Sequence, residues 1–194
     1  MFNSNIDFQT ALRNATDLGY AERDSSADIG GKDAAHKLTI LASIAYGMPL
    51  KYSDVYIEGI EDVTLEDMVY ANELNYCIKH LCLAIRRSNG IELRTHPCLV
   101  KKDELLSNIN GVMNAIQIDG DAVGPSVHYG AGAGAEPTAS AIVADIMDVV
   151  RTLTTNPNSR VPHLAFQERT MIDLPILDMS LTNTPFYLLS LIHI

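Results

Sequence analysis

The sequence predicts an α+β fold, an open, mostly antiparallel or mixed sheet with helices packed on one face. Three observations carry that prediction. The run after Gly30-Gly31 places Leu38, Ile40, Leu41 and Ile44 among Ala34, Ala35, Ala42 and Ala45, an apolar and helix-favouring pattern that stops near Gly47 and Pro49. Tyr76–Arg87 and Ile91–Thr95 are β-type runs separated by Ser88-Asn89-Gly90, and Asn-Gly between such runs is a hairpin signal. Farther on, Ile142, Val143, Ile146, Val149 and Val150 recur at helical spacing and predict a long helix with one buried face. Several antiparallel strands beside two or three helices make an α+β sheet layer.

Taken in order, residues 5–18 predict a first helix, with Phe8, Leu12 and Ala15 on one face and Gly19 as its stop. A polar loop with Glu22, Asp24 and Asp28 leads into the helix that carries Asp33 and Lys37. Val55-Tyr56-Ile57 is a short β-type run, followed by Glu58-Gly59-Ile60. Thr64 opens another helix and, with Asp67 three residues on, can complete a capping box. His96-Pro97 is expected to break the second hairpin strand, because proline removes a ladder donor. Lys101–Asn108 reads as a helical turn or loop. Met113–Ile118 and Ser126–Tyr129 read as strands around a Gly120-Asp121 turn. The glycine-rich Tyr129–Gly134 precedes the helix of Pro137–Leu153, with Pro137 expected at its first position. Residues 154–185 hold four of the eight prolines and little periodicity, which predicts a linker or an extended crossover. Phe186–Ile194 is an apolar β-type run. It is expected to be the first strand of a further domain, or alternatively a terminal strand of the main sheet.

The chain has 194 residues, room for one ordinary domain and part of another, and is 47% hydrophobic and 20% charged, a globular composition. Its formal charge is −10, without a basic cluster, so neither nucleic acid nor an anionic membrane surface is an expected partner. No stretch reaches the ~18 apolar residues of a membrane span, and the N-terminus lacks a signal-peptide core, so a cytoplasmic location is expected. Cys77, Cys82 and Cys98 fit neither a zinc spacing nor a CxxC pair and are expected to be buried, reduced thiols. The six histidines are scattered without ligand spacing, and no metal is expected.

Asp33 and Lys37 are four residues apart and share a helix face. By themselves they are either a surface ion pair or a proton-transfer site. The Gly130-Ala131-Gly132-Ala133-Gly134 run is likewise either a phosphate-approaching loop or a tight strand-to-helix turn.

The whole string decides more. Gly19-Tyr20-Ala21-Glu22, an acidic loop ending in Asp28, then Gly-Gly-Lys-Asp-Ala-Ala-His-Lys-Leu-Thr-Ile-Leu-Ala resembles the catalytic segment of homoserine dehydrogenases. The resemblance runs from about Thr16 to Leu153. It includes Glu58-Gly59-Ile60, the Arg94-Thr-His-Pro97 core, Asn108–Ala115, Gly120-Asp-Ala-Val-Gly124 and Tyr129–Gly134 with the following Pro-Thr-Ala-Ser-Ala. It departs at Ala131, where the family usually has proline.

This resemblance implies reversible, NAD- or NADP-linked interconversion of L-homoserine and L-aspartate 4-semialdehyde. It implies that Lys37 transfers a proton at the reacting oxygen and that Glu22 and Asp33 bind substrate. Gly19 and Tyr20, with Asp28 as a further candidate, fall at the substrate pocket, and Gly130, Gly132 and Ala133 fall against the cofactor. His36, about 100° around the helix from Lys37, reads as structural. The implied organisation is a catalytic and dimerisation domain over residues 1–135, giving a homodimer through the sheet. A helix over 136–153 would return to a nucleotide-binding domain, followed by a linker over 154–185 and the first strand of a regulatory ACT domain over 186–194. The family's complete N-terminal Rossmann domain is missing from this sequence, so the chain is expected to be a fragment inactive alone. A non-catalytic dimerisation module and an enzyme acting on a related amino-acid aldehyde are the alternatives.

Overall fold

The computed structural model describes residues 6–20, 24–156 and 160–189. The chain begins with helix α1 (Phe8–Asp17), where Asp7 accepts from the Thr10 N–H as N-cap. Gly19, at φ +74°, ends it: the Tyr20 N–H reaches Ala15 O at 2.9 Å and the Gly19 N–H reaches Thr16 O at 3.0 Å, a Schellman closure. Phe8, Leu12 and Ala15 are half-buried, as their spacing predicts. A single turn, α2 (Ser26–Ile29), leads into α3 (Lys32–Tyr46). Strand β1 (Tyr56–Ile57) and helix α4 (Leu65–Glu73) follow, and both halves of the Thr64/Asp67 capping box are present.

Strands β2 (Tyr76–Arg87) and β3 (Gly90–Lys101) form a long antiparallel hairpin, and β1 lies parallel to β3 on its other side. This mixed sheet has the order β1-β3-β2. The second hairpin, β4 (Met113–Gly120) and β5 (Gly124–Ala131), forms its own two-stranded ladder, so the strands fall into two small sheets. Helix α5 (Ala135–Thr154) completes the regular structure. The core is one cluster: Ala35, Leu38 and Ala42 from α3, Met48, Val55, and Ile91 and Leu93 from β3. Helix α3 therefore rests on the centre of the mixed sheet.

Four sequence expectations need correction. His96-Pro97 does not break β3, which runs on to Lys101 with Pro97 opposite His80. Along β3, the Ile91 N–H donates to Pro175 O, Ile91 O accepts from the Leu177 N–H, and Thr95 O accepts from the Glu58 N–H, all away from β2. Pro97 is in the same phase, so its missing N–H falls on the side away from β2 and costs the β2–β3 ladder nothing. Gly90 is the first residue of β3 and lies outside the turn, since Arg87 pairs with Gly90 around a two-residue Ser88-Asn89 loop. A Cβ at Gly90 would sit 2.5 Å from Pro175 O, and that approach is what requires glycine. Pro137 is the third residue of α5, still within the first turn, where no N–H has an intrahelical acceptor. Finally, the predicted buried face of α5 is open: Ile142, Val143, Ile146, Val149 and Val150 are 54–56% exposed.

The segment after α5 contains 3₁₀ turns and extended chain, and part of it straps the sheet. Phe166 covers Gly47, the Ile172 N–H binds Gly47 O at 2.8 Å, and Lys51 pairs with Asp173 at 2.5 Å. Ile176 then bridges Ile91 in parallel. Phe186–Leu189 carry no strand pairing, and the remainder of the strand expected to Ile194 lies outside the described residues.

Candidate functional site

Helix α3 starts without a side-chain cap. Its N-cap is Gly31 at φ +75°, a left-handed conformation that glycine adopts without a Cβ penalty. The first turn then presents Asp33, and the next presents Lys37. Lys37 Nζ lies 2.6 Å from Asp33 Oδ2, with the two side chains 70% and 46% exposed. Asp33 Oδ1 makes no hydrogen bond among the described residues. The pair thus offers water, or a ligand, an ammonium and one free carboxylate oxygen on the same helix face.

Beneath this turn is the sheet. His80, on β2, points its Nε2 at Glu58 O, 2.8 Å away, and Thr95 Oγ1 of β3 is 3.5 Å from the same nitrogen. The Ile60 N–H binds Ile29 O at 2.8 Å, which joins the chain after β1 to the α2–α3 junction. Cys82, two residues along β2, faces Ala34 O. From there α3 follows β2 until Tyr46 donates its hydroxyl to Ala84 O at 2.9 Å. The N-terminal end of α3 is thus the end beside His80.

The other sequence candidates are placed as follows. Gly19 and Tyr20 lie at the closed end of α1, both exposed, with no hydrogen bond, ion pair or ring contact to Asp33 or Lys37. Asp28 is exposed on α2; its carbonyl accepts from the Gly31 N–H at 3.3 Å, and its carboxylate is unpaired among the described residues. Glu22 lies outside the described residues. His36 turns away from the pair and stacks on Tyr52, rings 3.9 Å apart and 1° from parallel. Sequence reasoning missed His80 and Thr95. Nothing local marks them, because their common face is defined only by the β2–β3 register.

Gly130 and Ala131 belong to β5, and Gly132–Gly134 form the turn into α5, so the glycine run is a strand-to-helix turn. Around Gly130 a side chain would meet nothing, whereas Gly132 packs directly on the Asn114 side chain. Ala133 is half-buried. A groove of about 180 Å³ between β2 and β4, lined by Lys79, His80, Leu81, Met113, Asn114 and Ala115, connects the neighbourhood of this turn to His80. A larger hollow, about 220 Å³, lies at the hairpin tip between Arg86–Ile91 and Leu174-Pro175, at the far end of α3.

Cys77 and Cys98 are half-buried and Cys82 is exposed, which corrects the expectation of three buried thiols; all three are free. Burial pushes the Cys98 thiol pKa up to about 11. Alkylation of Cys98 by iodoacetamide at pH 8 should therefore run at least about tenfold slower than that of a free thiol. Peptide mapping over time checks this, and labelling at the free-thiol rate would contradict it.

Comparison with known proteins supplies the remaining context. The homoserine dehydrogenase family model matches residues 1–147. A homoserine dehydrogenase of Pseudomonas aeruginosa is 54% identical over 93% of this chain, which spans 42% of that relative. The crystal structure of one from Thiobacillus denitrificans is 54% identical with a TM-score of 0.84, over 91% of this chain and 41% of that one. A hyperthermophilic archaeal homoserine dehydrogenase solved in complex with NADPH is 27% identical with a TM-score of 0.59, over 79% of this chain and 42% of that one. The chain thus spans about two fifths of the length of the proteins it matches. No helix among the described residues is long and apolar enough to cross a membrane.

Proposed function

The chain belongs to the homoserine dehydrogenase family, and from that premise we propose that it forms the substrate-binding and dimerisation layer of an enzyme interconverting L-homoserine and L-aspartate 4-semialdehyde. The observation that carries the proposal is the 2.6 Å Lys37–Asp33 pair, open to solvent at the start of a helix whose body is fixed in the core. In the reducing direction Lys37 donates a proton to the aldehyde oxygen as negative charge develops there, which lowers the barrier to hydride addition. Lys37 is exposed enough for water to restore that proton. Asp33 holds Lys37 through Oδ2 and offers Oδ1 to the α-ammonium group of the substrate. Glu22 contributes the second carboxylate, while Gly19, Tyr20 and Asp28 line the approach.

Gly130, Gly132 and Ala133 contact the cofactor. The open backbone at Gly130 allows a planar ring close access. Glu136, in the first turn of α5, would repel a pyrophosphate, so this contact suits the nicotinamide and ribose. A bound NAD or NADP supplies the hydride, and the NADPH complex of the archaeal relative supports that choice of cofactor class. Leu81, Leu83 and Ile85, half-buried on the sheet face turned from α3, support pairing with a second copy.

Asp33→Asn in the full-length enzyme should raise KM for homoserine by about ten- to a hundredfold, the loss expected when a charged hydrogen bond becomes neutral. Steady-state assays against a panel of related amino alcohols check both substrate and role. A panel in which another amino alcohol outruns homoserine would assign the layer to a different aldehyde.

A further inference from the structure

We propose that His80 is a positioning residue for this site, which fastens the Glu58 carbonyl to the sheet and thereby fixes the first turn of α3. The inference rests on the reading of Asp33 and Lys37 given above. A backbone carbonyl only accepts, so at 2.8 Å from Glu58 O the His80 Nε2 carries the proton and donates it. Glu58 is also held from the other side, because its own N–H donates to Thr95 O at 2.9 Å. The peptide leaving β1 is therefore clamped between β2 and β3.

The clamp reaches the site through two contacts. Ile60, two residues beyond Glu58, donates its N–H to Ile29 O at 2.8 Å, and the intervening Gly59 lies so close to Gly30 that a Cβ would stand 2.9 Å from Gly30 Cα. More directly, a Cβ on Gly31 would lie 3.1 Å from His80 Cε1, 3.2 Å from His80 Nε2 and 3.3 Å from Glu58 O. Gly31 is the buried N-cap of α3, and Asp33 follows two residues later. The core residues Ala35, Leu38 and Ala42 locate the body of the helix, but all lie after Asp33. With no side-chain cap on Gly31, the first turn takes its position from the imidazole and carbonyl packed beneath it. Lys37 is one turn deeper, on the part of α3 that the core already holds.

This geometry predicts a division between kinetic constants. Loosening the clamp shifts Asp33, which binds substrate, more than Lys37, which moves the proton. In the full-length enzyme, His80→Leu should raise KM for homoserine about tenfold, the effect of losing one hydrogen bond that sets a binding group. Its kcat should stay within about twofold, and KM for the cofactor should not change. His80→Gln, whose amide can donate from nearly the same place as Nε2, should restore KM to near the wild-type value. If His80→Leu does not fold, His80→Asn, too short to reach Glu58 O, carries the same expectation. An unchanged KM for homoserine, or a Gln variant as impaired as the Leu variant, would overturn the role of His80. Lys37→Ala, assayed in parallel, separates the failures: if that variant keeps its turnover, the reading of the site itself falls. A dead Lys37→Ala beside an unaffected His80→Leu removes only the clamp.

Discussion

Lys37→Ala, in the full-length enzyme, should lose turnover by about 10²–10⁴-fold, the range that a single positioned proton donor supplies. The same substitution should leave thermal unfolding almost unmoved. Lys37 is 70% exposed and its partner 46%, and an ion pair so open to solvent contributes well under ~1 kcal/mol to stability. The two readouts together make the test sharp, since a variant that is dead but fully folded has lost chemistry alone. Lys37→Arg should not rescue, because a guanidinium stays protonated through the reaction and therefore does not hand its proton to the reacting oxygen. Turnover within a fewfold of wild type in Lys37→Ala would reduce the Asp33–Lys37 pair to a surface contact.

The largest stability effect should come from the other face of the sheet. Glu92 and Arg94, both on the central strand β3, have side chains 4% and 7% exposed, and Arg87 joins them from β2 with its Nε 2.7 Å from Glu92 Oε1. Arg94 Nη2 comes within 3.2 Å of Glu92 Oε2 at an angle that makes an ion pair without a hydrogen bond, and Arg94 Nε has no acceptor among the described residues. Glu92→Ala would strand the Arg94 guanidinium in a buried position, at a cost of about 3–5 kcal/mol. That is a large part of the roughly 5–15 kcal/mol that holds an ordinary domain together. Replacing both partners, Glu92→Leu with Arg94→Met, should recover most of the loss, because neither charge then has to be desolvated. Arg87→Ala should cost far less, since Arg87 is 44% exposed and water can take its place. Urea unfolding of the three variants beside wild type checks the order, and a Glu92→Ala midpoint equal to wild type would mean that Arg94 finds other partners.

Local chemistry made much of this fold readable. The capping box at Thr64, the Schellman stop at Gly19 and the span of α3 are each decided within a few residues, by interactions that sequence spacing encodes directly. Misreadings occurred where a distant segment decides the outcome. In the sequence Gly90 reads as a turn glycine, yet its lack of a side chain answers to Pro175, which nothing near the hairpin announces. Pro97 reads as a strand breaker because the phase of its N–H depends on which neighbour each side of β3 has. The periodicity of α5 correctly gave a helix and an apolar face, but periodicity says only that such a face exists. Within this chain nothing covers it among the described residues. The site divides in the same way. Asp33 and Lys37 were legible from spacing and resemblance, while His80 required the register of two strands and the path of a third.

The strap from Ile172 to Leu177 sets an order of events during synthesis. Ile91 leaves the ribosome with its outward N–H and C=O unpaired, and the groups that will satisfy them belong to Pro175 and Leu177. At ~5–20 residues per second, translation reaches Leu177 roughly 4–17 s after Ile91. For that interval the central strand of a nascent chain keeps one edge open, and neighbouring chains on a crowded polysome hold identical edges. Misassembly between nascent chains is therefore a hazard of translation speed, and it ends for each molecule when Leu177 arrives.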